Sequence, residues 1–103
     1  MKTQSLIESK INHRLNPQFL EVINESGNHA VPVNSETHFK VTVVCGEFEG
    51  MRLIARHRLL NQLLSYELNG GVHALALHTF TNEQWAEKKG VIPISADCLG
   101  GGK

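Results

Sequence analysis

The stretch that decides the fold runs over residues 38–80, "HFKVTVVCGEFEGMRLIARHRLLNQLLSYELNGGVHALALHTF". In its opening "HFKVTVVC", Phe39, Val41, Val43 and Cys45 fall on one face of an extended chain and His38, Lys40 and Thr42 on the other, because successive strand side chains alternate. The first set is the expected core face. "GEFEG" supplies a turn, after which Leu53, His57, Leu60, Leu64 and Leu68 recur at spacings of three or four, the stripe of one long helix. Asn69, Gly70 and Gly71 suit the end of that helix, and "GGVHALALHTF" then reads as a further strand. A helical crossover makes the strand that follows it parallel to the strand before it.

On the N-terminal side, "SLIESKINHRLNP" has Ser5 and Glu8 at capping-box spacing and Ile7, Ile11 and Leu15 four apart on one helical face. Asn16 and Pro17 end it, since proline disfavours the helical region for the residue before it. "FLEVINE" is a short strand that can pair antiparallel with 38–45 through the punctuated loop "SGNHAVPVNSET". On the C-terminal side, "TNEQWAEKK" is a last helix, with Thr81 and Gln84 again at capping-box spacing. Beyond Gly90 a loose, glycine-rich tail is expected. The order predicts one α+β domain, a small mixed three-stranded sheet with helices packed on one face.

A chain of 103 residues leaves no room for a second domain. Hydrophobic residues at 41% and charged residues at 19% place it among ordinary globular proteins. Ten basic residues balance ten acidic ones, so no global field draws the chain to nucleic acid or to an anionic membrane. No apolar run approaches roughly 18 residues, and charge interrupts the start every few positions, so a soluble, cytoplasmic chain without a membrane segment is expected. Cys45 and Cys98 form no paired-cysteine spacing of the kind that zinc sites and redox dithiols use.

Six histidines are many for this length. His73 and His78 lie five apart, so in a strand they point to opposite faces and cannot clamp one ion. His73 sits where the strand begins, beside Gly70 and Gly71, and can stay accessible; His78 shares its face with Ala74, Ala76 and Phe80 and is expected to pack. His13 and His38 read as solvated surface residues, and His57 as a core histidine within the apolar stripe. His29 differs, because it lies in the long loop, whose end can reach the third strand. His29 and His73 supply two ligands where a closed metal site needs about four, so a metal could be held only by sharing it with another molecule. No nucleophile elbow, zinc-protease helix or phosphate loop is present, and no carboxylate pair can be nominated for acid–base work, so the chain is expected not to be an enzyme. Arg52, Arg56 and Arg58 crowd one helix, with Lys40 on the preceding strand, and could face phosphates; the plainer reading is a solvated face balanced by Glu47 and Glu49.

From "SETHFKV" to "TNEQW" the chain resembles the BolA family. The matching motifs are Phe39-Lys40-Val41, Phe48 with Gly50, Arg56-His57-Arg58, Val72-His73-Ala74, and Thr81 with Trp85. "LEVINES", "NHAVP" and the tail "CLGGGK" match as well. The resemblance implies a fold similar to class II KH domains, which with the last helix gives α-β-β-α-α-β-α over residues 1–89, with 90–103 a flexible tail. It further implies a non-catalytic partner of a monothiol glutaredoxin that shares a bridging 2Fe-2S cluster, the glutaredoxin and glutathione each giving a thiolate. His73 would be one ligand from this chain and His29 the best match for the other, in iron-sulfur handling or iron and stress regulation. Alone, the chain is expected to be a monomer or weak dimer. Some bacterial relatives are described as DNA-binding transcriptional regulators of shape and stress genes, which makes Arg52, Arg56, Arg58 and Lys40 the candidate DNA contacts. The G-x-x-G loop with which KH domains hold nucleic acid is missing, since Gly50 stands alone in "FEGMRL".

Overall fold

The computed structural model describes residues 2–28 and 35–88. His29, Cys98 and the tail expected over 90–103 lie outside the described residues. Helix α1 (Lys2–Leu15) leads into strand β1 (Phe19–Asn24), a single 3-10 turn (Ser26–Asn28) and strand β2 (His38–Val44). A second 3-10 turn (Gly46–Phe48) precedes helices α2 (Leu53–Leu63) and α3 (Ser65–Asn69), strand β3 (Ala74–Phe80) and helix α4 (Asn82–Lys88). The sheet order is β1-β2-β3, with β1 antiparallel to β2 and β3 parallel to it. The α-β-β-α-α-β-α order and mixed sheet expected from the sequence are therefore present.

Register fixes the two faces. Val22 lies beside Val41, and Val41 beside Leu77, so one face carries Leu20, Val22, Phe39, Val41, Val43, Leu75 and Leu77. Against it pack Ile7, Ile11 and Leu15 of α1 and Leu60 of α2, with Phe48 and Leu64 in the same cluster. Alternation in β2 and the four-residue spacing in α1 both point inward as read. On the opposite face Phe19, Val44 and Phe80 lie in one row, and Trp85 of α4 stacks on Phe19 at 4.9 Å and meets Phe80 at 5.3 Å between ring centroids. Thus α1 and α2 share the expected face, while α4 folds its one large ring across the end of the other.

Three local expectations change. The segment read as one helix breaks at Leu64, whose φ of −103° and ψ of 20° leave the helical region and separate α2 from α3. Its buried face is Arg56, Leu60 and Leu64, whereas Leu53 is 60% exposed and His57 only half-buried. Arg56 displaces Leu53 because its guanidinium satisfies carbonyls that no apolar side chain could. It donates to the carbonyls of Met51 at 3.0 Å and Thr79 at 3.2 Å and to Gln84 Oε1 at 2.9 Å. Finally, α1 begins before Ser5, and its first amides are held from a distance. Glu36 accepts the N–H groups of Thr3 and Gln4 at 3.2 and 3.1 Å, a carboxylate placed where a helix N-terminus favours negative charge.

Other local signals hold. Asn16 takes a left-handed φ of 45° directly before Pro17 and closes α1. The second capping box is reciprocal: Gln84 N–H donates to Thr81 Oγ1 at 3.1 Å, and Thr81 N–H to Gln84 Oε1 at 2.9 Å. Gly71, with φ of 135°, swings the chain out of α3 towards β3 through backbone that other residues rarely adopt.

Candidate metal centre

The start of β3 is tied to the start of β2 through one residue. The Thr37 carbonyl accepts the N–H of His73 at 2.7 Å and that of Ala74 at 3.2 Å. Thr37 is itself held by Ser26, only 3% exposed, whose Oγ accepts the N–H groups of Thr37 at 2.8 Å and His38 at 3.1 Å. The Thr37 hydroxyl donates to the same Oγ at 3.3 Å and lies 2.8 Å from His38 Nδ1. Asn24 completes the arrangement: Oδ1 accepts Ser26 N–H and Nδ2 donates to the Ser35 carbonyl, both at 2.9 Å. Both flanks of the stretch that carries His29 are thus pinned beside the first residues of β2 and β3.

On this base His73 is exposed and His38 is half-buried. Their rings meet edge to face, with centroids 6.0 Å apart. Sequence reasoning placed His38 on a solvated surface and missed this pairing. What brings the rings together is the parallel register, which sets His38 level with Ala74, and no spacing within either strand carries that information.

The other histidines separate from the pair. His78 is in register with Thr42, four residues along β3 from Ala74 and therefore roughly 13 Å away along the strand. It is half-buried, and burial first, then the positive charge of Lys40, lowers its pKa below the ordinary 6.5, with opposition from Glu25 and a further lowering by His57. His57 on α2 is likewise lowered, by burial and then by Arg56. Cys45 is 1% exposed at the far end of β2, and burial pushes its thiol up, away from the thiolate that metals bind. Among the described residues no group of three or more His, Cys, Asp or Glu is placed to hold a metal ion. The donors that come near one another here are the imidazoles of His38 and His73, a ligand type that can replace thiolate on cluster iron.

The four basic residues read as a phosphate-facing patch are dispersed. Arg56 is 5% exposed and committed to internal acceptors, which removes it from the surface. Arg52 and Arg58 are exposed, while Lys40 is half-buried on the sheet face opposite the core.

The BolA family, described as BolA-like protein, matches residues 11–84. The chain belongs to the BolA family. It is 51% identical over 100 residues to the DNA-binding transcriptional regulator BolA of Vibrio cholerae, covering 97% of this chain and 94% of that protein. The solution structure of mouse BolA1 superposes with a TM-score of 0.83 at 49% identity, covering 97% of this chain and 80% of that one. The BolA domain of SufE1 from Arabidopsis thaliana gives 0.76 at 37% identity, covering 81% of this chain and 95% of that one. Among solved BolA structures, then, relatives include both a separate protein and a domain named as part of another.

Proposed function

We propose that this BolA-family chain is a non-catalytic partner of a monothiol glutaredoxin and lends His73 to a 2Fe-2S cluster that the two proteins share with glutathione. The observation that carries the reading is the placement of His73. It is an exposed imidazole whose backbone is fixed by the Thr37 carbonyl, with the ring of His38 edge-on to it. A bound cluster would supply one-electron and iron-transfer chemistry. The chain's part is to present an imidazole at an open surface from a backbone that is already fixed, so that little backbone ordering entropy remains to be lost when the partner docks. His29 is proposed as the other ligand from this chain, on the strength of the family resemblance. A cytoplasmic setting belongs to the same proposal; no helix of the described residues is long and apolar enough to cross a membrane.

Mixing the chain with a monothiol glutaredoxin, glutathione, iron and sulfide tests this. A coloured heterodimer is expected, lost or spectrally altered in His73→Ala; a wild-type spectrum in that variant contradicts the reading. A second reading is favoured by the name of the Vibrio cholerae relative, a DNA-binding regulator. Its contacts would be the exposed Arg52 and Arg58. Replacing both with Ala would then flatten the slope of log affinity against log salt by about 1.8, at about 0.9 for each phosphate contact.

A further inference from the structure

We propose that the open edge of β3 is a docking strand for an extended, acidic peptide segment of a partner protein. The Cys45 N–H donates to the Phe80 carbonyl at 3.1 Å and the Ala74 N–H to the Thr37 carbonyl at 3.2 Å, so the even-numbered residues of β3 turn their peptide groups towards β2. Successive residues alternate in this, and Leu75, Leu77 and Thr79 turn theirs outward. Thr79 is capped there, because its carbonyl accepts Arg56 Nη1 at 3.2 Å. The other edge of the sheet is capped as well: Gln4 Nε2 of α1 donates to the Val22 carbonyl of β1 at 2.9 Å. At Leu75 and Leu77 no partner outside the sheet is present among the described residues, which leaves the N–H and C=O groups of both open. The strand itself, "ALALHTF", has neither the proline nor the charged residue with which edge strands usually refuse a partner.

The occupant follows from what surrounds this edge. At the Thr79 end it runs into a groove of about 310 Å³ lined by Leu53, Thr79, Phe80, Gln84, Glu87 and Lys88. Glu87 and Lys88 offset each other there, and Leu53 and its neighbour Ile54 stand exposed. The buried Arg56 guanidinium donates to neutral acceptors alone, the carbonyls of Met51 and Thr79 and Gln84 Oε1, and no carboxylate pairs with it among the described residues. A desolvated cation without a counter-ion gains most from an anion brought near it. Exposed Arg52 and Arg58 add to the same sign, and α2 contains no acidic residue. A second copy of this chain fits less well, since pairing β3 with itself about a two-fold axis sets two such basic helices side by side. The partner segment therefore adds as a fourth strand, bonds to Leu75 and Leu77, places an apolar side chain against Leu53 and brings carboxylates towards Arg52 and Arg56. His73 takes no part, so the proposal does not rest on the cluster reading.

The test is titration of the full-length chain with the peptide acetyl-Glu-Glu-Val-Thr-Val-Glu-Glu-amide, followed by proton–nitrogen NMR and amide hydrogen exchange. In the free chain the Leu75 and Leu77 amides should exchange faster than those of Ala76 and His78, and saturating peptide should slow them at least tenfold. Replacing every Glu of the peptide by Gln should weaken binding at least tenfold, and N-methylation of its three central residues should abolish it. Arg52→Gln should weaken binding of the Glu peptide and leave that of the Gln peptide unchanged. Absence of a saturable effect at Leu75 and Leu77 overturns the proposal. Equal affinity of the Glu and Gln peptides overturns the acidic partner, and equal affinity of the N-methylated peptide overturns strand addition. Protection of Leu75 and Leu77 that rises with chain concentration alone would assign the edge to a second copy and overturn the proposal too.

Discussion

Arg56 shows how one side chain can organise several elements. It joins α2 to the Thr79 carbonyl in β3 and to Gln84 in α4, and its guanidinium carbon lies 5.5 Å from the centroid of Phe48. Arg56→Met keeps most of the volume but leaves buried carbonyls unpaired, each costing about 1–3 kcal/mol. Urea unfolding of that variant should show a loss of at least this size, whereas Arg58→Met, at an exposed position, should change little. His57 and His78 set a pH dependence. Both have folded pKa values below the ordinary 6.5, so the unfolded chain takes up these protons first. Their contribution is present above about pH 6.5 and is lost as pH falls from there through the lowered folded values. Chemical unfolding between pH 7.5 and 5 should show that decline, and His78→Gln should make it shallower. At this scale the distance of His73 from His78 was legible in the sequence as position along the chain, but the expectation of opposite faces does not carry over: β3 begins at Ala74, and the His73 ring meets His38, which shares the sheet face of His78. The approach of His38 to His73 and the burial of Arg56 were not, since both depend on partners far along the chain.

At the scale of elements, most of what was legible came from periodicity and caps. β2, α1 and the Thr81–Gln84 box of α4 formed as their patterns dictate. Thr81→Ala should therefore destabilise by about 1 kcal/mol, the usual worth of such a cap, measurable as a lower urea midpoint with an unchanged slope. The start of α1 was misplaced because its capping carboxylate, Glu36, arrives from the other side of a loop. The break at Leu64 was hidden by leucines that continue a helical period across it. Glu67 of α3 instead meets Lys10 of α1 at 2.9 Å, with its carboxylate side chain 3% exposed. A short, turned α3 thus places a buried carboxylate against a lysine that stays partly in solvent.

For the whole molecule, the crossover from β2 to β3 is what makes the candidate site. A parallel pair places the beginnings of both strands at the same end of the sheet, and His38 and His73 stand at those beginnings. The topology was legible because strand, helix and strand in one sheet allow few arrangements. The site's second ring was not, since register follows only once the strands have paired. The central claim is that His73 at this end, and not the histidine on the packed part of β3, serves the shared cluster. Its most direct test is the visible absorption and circular dichroism spectrum of the complex reconstituted with a monothiol glutaredoxin, glutathione, iron and sulfide, for His73→Ala beside His78→Ala. The account predicts a lost or altered cluster spectrum in the first variant and a wild-type spectrum in the second; the reverse pattern would contradict it.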